Sequence, residues 1–197
     1  MELPTLQHAG LEMDSGAFSD WHNQHFAQQD RLFETAQPSK GLLEKAQDIT
    51  ARRNASSLLL SDSRSLGLLD FWAEQIPDSH FLLFFTSAPI AVARALSEGI
   101  EPERFLAEWQ TSNERLLRFQ RRHRHRALLF DADAATAHPD AMIEACKRID
   151  LHLQQVPSWP APDNLPGDLE KMIGRYYVDA TSEVMSLQCE LEASTFP

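Results

Sequence analysis

Positive charge is scarce in this chain, with 18 lysines and arginines against 29 aspartates and glutamates and a formal net charge of −11 at pH 7. Such a balance opposes long-range approach to nucleic acid or to an anionic membrane, so neither is an expected partner. Cysteine is nearly absent. Cys146 and Cys189 lie far apart, each in a helical pattern and outside any close pair, which predicts buried or idle thiols of a cytoplasmic protein and neither a disulfide nor a metal site. No apolar run approaches the roughly eighteen residues that a spanning helix needs, so membrane insertion is not expected. Met1 to Met13 has no basic cluster and no long apolar core, and does not read as a secretory or transit leader. No Gly-x-Ser-x-Gly elbow occurs, and nothing positive points to hydrolase chemistry.

What is present is a core of one domain's size: 197 residues, 43% of them hydrophobic. A length of this order favours one sizeable core over two. We read residues 1–197 as a single domain, with an α/β core over 1–150 and a proline-rich connection with closing helices over 151–197. Two apolar runs, Leu58-Leu59-Leu60 and Phe81 to Phe85, each pass through a polar turn into a helical pattern. The first pattern carries Leu66, Leu69, Phe71, Trp72 and Ile76 and stops at Pro77-Asp78; the second opens on Pro89 and runs to Gly99. Pro102 opens the longest helical stretch, marked by Phe105, Leu106, Trp109, Asn113, Leu116 and Leu117 and breaking near His125. Ala127 to Phe130 predicts a third strand, Asp140 to Ile149 an amphipathic helix, and Leu169 to Leu191 one or two closing helices. Earlier in the chain, Phe18 to Ala36 predicts a loop entering a helix, and Ser39 caps a helix carrying Leu42, Leu43, Ala46 and Ile49.

Strands alternating with helices favour parallel pairing and a three-layer α/β arrangement. In such sheets ligands bind beyond the carboxyl ends of the strands, which directs attention to the turns Ser61-Asp62-Ser63-Arg64 and Thr86-Ser87-Ala88-Pro89.

At these residues the chain resembles bacterial sulfotransferases of the glycan-modifying kind. Leu60 to Arg64 followed by Leu68-Leu69-Asp70-Phe71-Trp72 is similar to their Lys-Asp-Pro-Arg segment and the helix ending Phe-Trp. His80 to Leu96 resembles their next strand with its Arg-x-Pro continuation, and Trp109 with Asn113 their Trp-x-x-x-Asn helix. Ala127 to Pro139 resembles the strand before Tyr-Glu-Asp-Leu and Asp-Pro, and Val184 to Ser194 the closing helix. The resemblance implies a P-loop-NTPase-like parallel sheet that binds 3′-phosphoadenylyl sulfate (PAPS) and transfers its sulfuryl group to a hydroxyl, often of a carbohydrate. That chemistry relies on cations and helix-terminal amides gripping phosphates.

Against that pattern the sequence is depleted. Leu3 to Met13 is similar to the end of the first helix, so the first strand and the phosphate loop are expected to be missing. The lysine of Lys-Asp-Pro-Arg is Ser61, the arginine that contacts the 3′-phosphate is Ser87, its helper serine is Ala95, and the frequent acidic base falls at Ala27. Each lost charge-assisted contact costs about 1.5 to 3 kcal/mol, and several are lost together. The remnant donor-site positions are Ser61, Asp62, Arg64, Ser87, Arg94 and Asn113. The expected function is that of a degenerate, non-catalytic relative acting as a binding or assembly module without a cofactor; the alternative is an active sulfotransferase using PAPS and releasing adenosine 3′,5′-bisphosphate (PAP). A sheet without its first strand exposes unpaired edges, which predicts a protein partner or self-association there, with an acceptor glycan as a further partner.

Three clusters have plainer readings. The run Arg115, Arg118, Arg121, Arg122, His123, Arg124, His125, Arg126 falls at a helix carboxyl end, where cations offset the dipole, and on a helix His123 and His125 would point apart. Asp131 and Asp133 fit a helix cap better than an ion site. His22 and His25 share a helical face but have no third ligand at suitable spacing.

Overall fold

The computed structural model describes residues 11–13, 44, 57–59, 63–151 and 165–195. The chain divides into two compact units, Met1–Ser79 and His80–Pro197. The class is mixed α/β and mostly helical, with two-stranded parallel sheets among the described residues.

In the first unit, β1 (Leu11–Met13) pairs in parallel with β2 (Ser57–Leu59), Leu11 opposite Ser57 and Met13 opposite Leu59. At Leu11–Met13 this replaces the helix end expected over Leu3 to Met13, the rest of which lies outside the described residues. Three residues are too few to show a period of two, and Gly10 and Asp14 bound the strand closely. A 3₁₀ helix (Ser63–Leu68) then leads into α1 (Leu69–Gln75). Ser63, Ser65 and Gly67 are poor helix formers, which accounts for the tighter opening turns before the apolar α1. Leu68, Phe71, Trp72 and Ala73 are buried, with the Phe71 and Trp72 rings edge to face at 5.1 Å. The loop entering a helix expected over 18–36, the helix expected over 39–49, and His22 and His25 lie outside the described residues, Glu44 apart.

The second unit is built on β3 (Phe81–Phe85) and β4 (Ala127–Asp131), parallel and in register from Phe81 opposite Ala127 to Phe85 opposite Asp131. The crossover between them holds α2 (Ala88–Ser97) and α3 (Pro102–Arg122). Proline stands at the first or second position of both, where a missing amide costs nothing. Gly99 ends α2 at φ 73°, and the Ile100 amide reaches back to the Ala95 carbonyl. After β4 come α4 (Ala132–Ala137), α5 (Pro139–Lys147), α6 (Asp168–Asp179) and α7 (Ser182–Ser194). The closing pattern is therefore two helices, broken at Ala180 and Thr181, and α4 is an element the sequence reading did not contain.

Alternation along the strands divides the core. Leu82, Phe84, Leu128 and Phe130 pack with Ala135 of α4 and with Met142, Ala145 and Cys146 of α5. Their neighbours point the other way, where Phe81 meets Phe119 of α3 edge to face at 4.9 Å and Leu83, Phe85 and Leu129 are buried. Helices thus cover both faces of the β3–β4 pair. On α6, Gly174 lies so close to Pro89 and Ala93 of α2 that a β-carbon there would collide with backbone. Arg121 of α3 bridges to Glu190 of α7 at 2.7 Å.

The long helix α3 stops at Arg122, three residues before the expected break. His123 and His125 consequently lie in the turn into β4, their ring centroids 6.5 Å apart, and do not diverge around a helix as expected. No helix among the described residues is long and apolar enough to cross a membrane.

Candidate functional site

The carboxyl ends of β3 and β4 carry the second unit's share of the remnant positions. Ser87 is the residue preceding α2, and its hydroxyl makes no capping bond. The turn it belongs to is held from two helices. Trp109 of α3 donates its indole N–H to the Thr86 carbonyl at 2.9 Å, and Gln188 of α7 accepts from the Ala88 amide through Oε1 at 2.8 Å. Gln188 is buried, and its Nε2 donates to Glu192 Oε1 at 2.6 Å, which fixes the orientation of the amide.

These bonds change what the amino end of α2 offers. A helix amino terminus attracts anions through its free amides and the positive end of its dipole. Here the Ala88 amide is already engaged by Gln188 and the next residue, Pro89, has none.

Arg94 is in the last turn of α2 and pairs with Asp133 at 2.9 Å. Its Nε is buried without a hydrogen-bond partner. Asp133 stands in the first turn of α4, directly after β4, where Asp131 accepts from the Asp133 and Ala134 amides at 2.9 Å each. Asp131 is thus the N-cap, in line with the cap reading of Asp131 and Asp133, while Asp133 supplies the countercharge of Arg94.

Asn113 is buried on α3 one turn beyond Trp109. Its Nδ2 donates to the Trp109 carbonyl at 2.8 Å, and its Oδ1 has no partner. The Trp109 bond places α3 against the β3 turn, but the Asn113 amide is turned back onto its own helix.

Arg64 lies in the 3₁₀ helix of the first unit, and Ser61 and Asp62 lie outside the described residues. The structure thus has Ser87, Arg94 and Asn113 in one unit and Arg64 in the other. Among the described residues, no group of three or more His, Cys, Asp and Glu side chains is placed to hold a metal ion.

Gln188 and Asp133 are the residues that sequence reasoning missed as parts of this site. Gln188 had a signal: it interrupts the apolar face of Val184, Leu187 and Leu191, and a glutamine at a core position must find a partner. The Arg94–Asp133 pair spans 39 positions and has no local signature.

Comparison of the chain with protein-family models, with curated proteins and with solved structures finds no match.

Proposed function

We propose that this chain is a degenerate, sulfotransferase-like α/β protein of the cytoplasm that binds a partner protein and does no sulfuryl transfer. The reading rests on the resemblance of the β3-turn-α2 segment and of the Trp109/Asn113 helix to that enzyme type. Its chief support is the state of the α2 amino terminus: an internal side chain, Gln188, takes the amide that a donor phosphate would use. The surrounding chemistry agrees. Ser87 brings no cation, and Arg94 of the same helix is already paired with Asp133. An incoming phosphate would have to displace Gln188 from a buried hydrogen bond and would gain no arginine in exchange. The cytoplasmic location draws on the thiols, since Cys146 and Cys189 are both free.

Titration with adenosine 3′,5′-bisphosphate tests the reading. A site with a Kd of about 1 μM would gain about 4.1 kcal/mol of stability at about 1 mM ligand, a shift no thermal melt would miss. We expect neither heat of binding nor a melting shift under those conditions. Micromolar binding would overturn the proposal and restore the active enzyme using PAPS.

A further inference from the structure

Among the described residues of the second unit, the large apolar side chains left exposed are Ile100 and Met185, each 40% exposed, and four more exposed ones that share one surface. Leu165, Leu169, Met172 and Tyr176 are 72%, 61%, 66% and 71% exposed, and they recur at spacings of four, three and four. Leu169, Met172 and Tyr176 therefore form a stripe along α6, with Leu165 just ahead of its first turn. The opposite face of α6 is satisfied, with Gly174 and Val178 buried and Gly174 against α2. A helix that is apolar on both faces has a second surface to cover.

Charge identifies what covers it. Asp168 and Arg175 lie seven residues apart along one flank of the stripe, and both are exposed. Each also has an intrahelical ion-pair partner, Lys171 at 3.8 Å from Asp168 and Asp179 at 3.7 Å from Arg175, exposed pairs of the kind that stabilise weakly and leave both charges able to engage a second helix. When two such helices pack antiparallel about a two-fold axis, the same flank of each faces the other. Asp168 then meets Arg175 of the second copy, and Arg175 meets its Asp168. Parallel packing gives neither pair, because the other flank carries Ile173 at the facing position. A patch complementary to itself under two-fold rotation is the requirement for a symmetric dimer.

We infer that the exposed face of α6 is a homodimer interface, in which the Leu165-Leu169-Met172-Tyr176 stripe packs antiparallel on the same stripe of a second copy. This surface differs from the sheet edges considered above, and its test involves no nucleotide, so it stands or falls apart from the donor-site proposal. One helix per copy gives a small interface, and a reversible dimer with a Kd on the order of 10 μM is expected.

Sedimentation equilibrium of the full chain across roughly 1–200 μM should show monomer and dimer in exchange. Met172→Glu should weaken the dimer at least about tenfold while leaving the circular dichroism melt in place, because Met172 is 66% exposed and has little burial to lose. Asp168→Arg and Arg175→Asp alone should each weaken it by about threefold to tenfold, and the two together should return the affinity to near the parent value. Restoration by the double reversal is an outcome that a general loss of helix stability does not produce. A chain that stays monomeric at about 200 μM, a dimer indifferent to Met172→Glu, or a double reversal no better than the singles would each overturn the inference.

Discussion

The Oε1 atom of Gln188 accepts the hydrogen bond of the Ala88 amide at 2.8 Å across one hundred positions of sequence. This contact ties the closing helix α7 to the turn after β3 and satisfies a buried donor that its own helix cannot reach. Gln188→Met keeps the bulk but removes the acceptor, so the Ala88 N–H is left buried and unpaired. We expect a loss of about 1–3 kcal/mol in urea denaturation. Gln110→Ala serves as the control, since Gln110 donates to Glu114 on the exposed side of α3 and should change stability by less than about 0.5 kcal/mol. Equal effects from the two variants would show that the Gln188 bond has no special weight.

The two thiols should separate chemically. Cys146 is fully buried in the cluster beneath β4, and burial pushes its thiol up from 9.0 to about 11, whereas Cys189 is exposed on α7. A thiol reagent near neutral pH should therefore modify Cys189 in the native protein and Cys146 only after unfolding. The same shift sets a pH dependence. The unfolded chain loses its Cys146 proton from about pH 9, while the folded chain keeps it until about pH 11. Above pH 9 the folded state binds more protons than the unfolded state, so the contribution of Cys146 is whole below that pH and declines through pH 11. Denaturation midpoints followed over this window should fall less steeply in Cys146→Ala than in the parent. Parallel slopes would show that Cys146 titrates alike in both states.

What could be read from sequence followed the strength of the local pattern. Phe81 to Phe85 and Ala127 to Phe130 are apolar runs bounded by turn residues, and both are strands within a residue of the expected limits. The proline-led starts of α2 and α3 have a local physical cause and were equally legible. β1 was not, because Leu11-Glu12-Met13 draws its definition from pairing with Ser57–Leu59. The short helix α4 was missed for a related reason: Ala132 to Ala137 has no apolar stripe and is fixed at its start by the Asp131 cap. At the candidate site, Ser87 and Ala95, the positions that the resemblance singled out, were legible in the chain itself. The contacts of Gln188 and Asp133 with α2 were not, because both reach it from distant elements.

Close approach of α6 to α2 gives a last prediction that separates three glycines by their surroundings. A β-carbon on Gly174 would fall inside contact distance of the Pro89 carbonyl oxygen and 3.2 Å from the Ala93 nitrogen, both backbone atoms that cannot turn aside. On Gly167 it would meet only the carboxylate end of Glu170, which is free to rotate, and on Gly99 it would meet nothing but would have to adopt φ 73°. Alanine favours a helix interior over glycine by about 1 kcal/mol, so propensity alone would make Gly174→Ala stabilising. Overpacking works against it at about 1–3 kcal/mol, and displacement of α6 from α2 adds the loss of burial around Val178, so we expect net destabilisation. Gly99→Ala should cost about 1 kcal/mol through backbone strain, and Gly167→Ala should be close to neutral. Thermal and urea denaturation of the three variants should rank them Gly174, Gly99, Gly167 in decreasing cost. If Gly174→Ala proves as stable as the parent, α6 does not pack on α2 at the described distance, and the exposed stripe on its far face loses the fixed platform that antiparallel pairing requires.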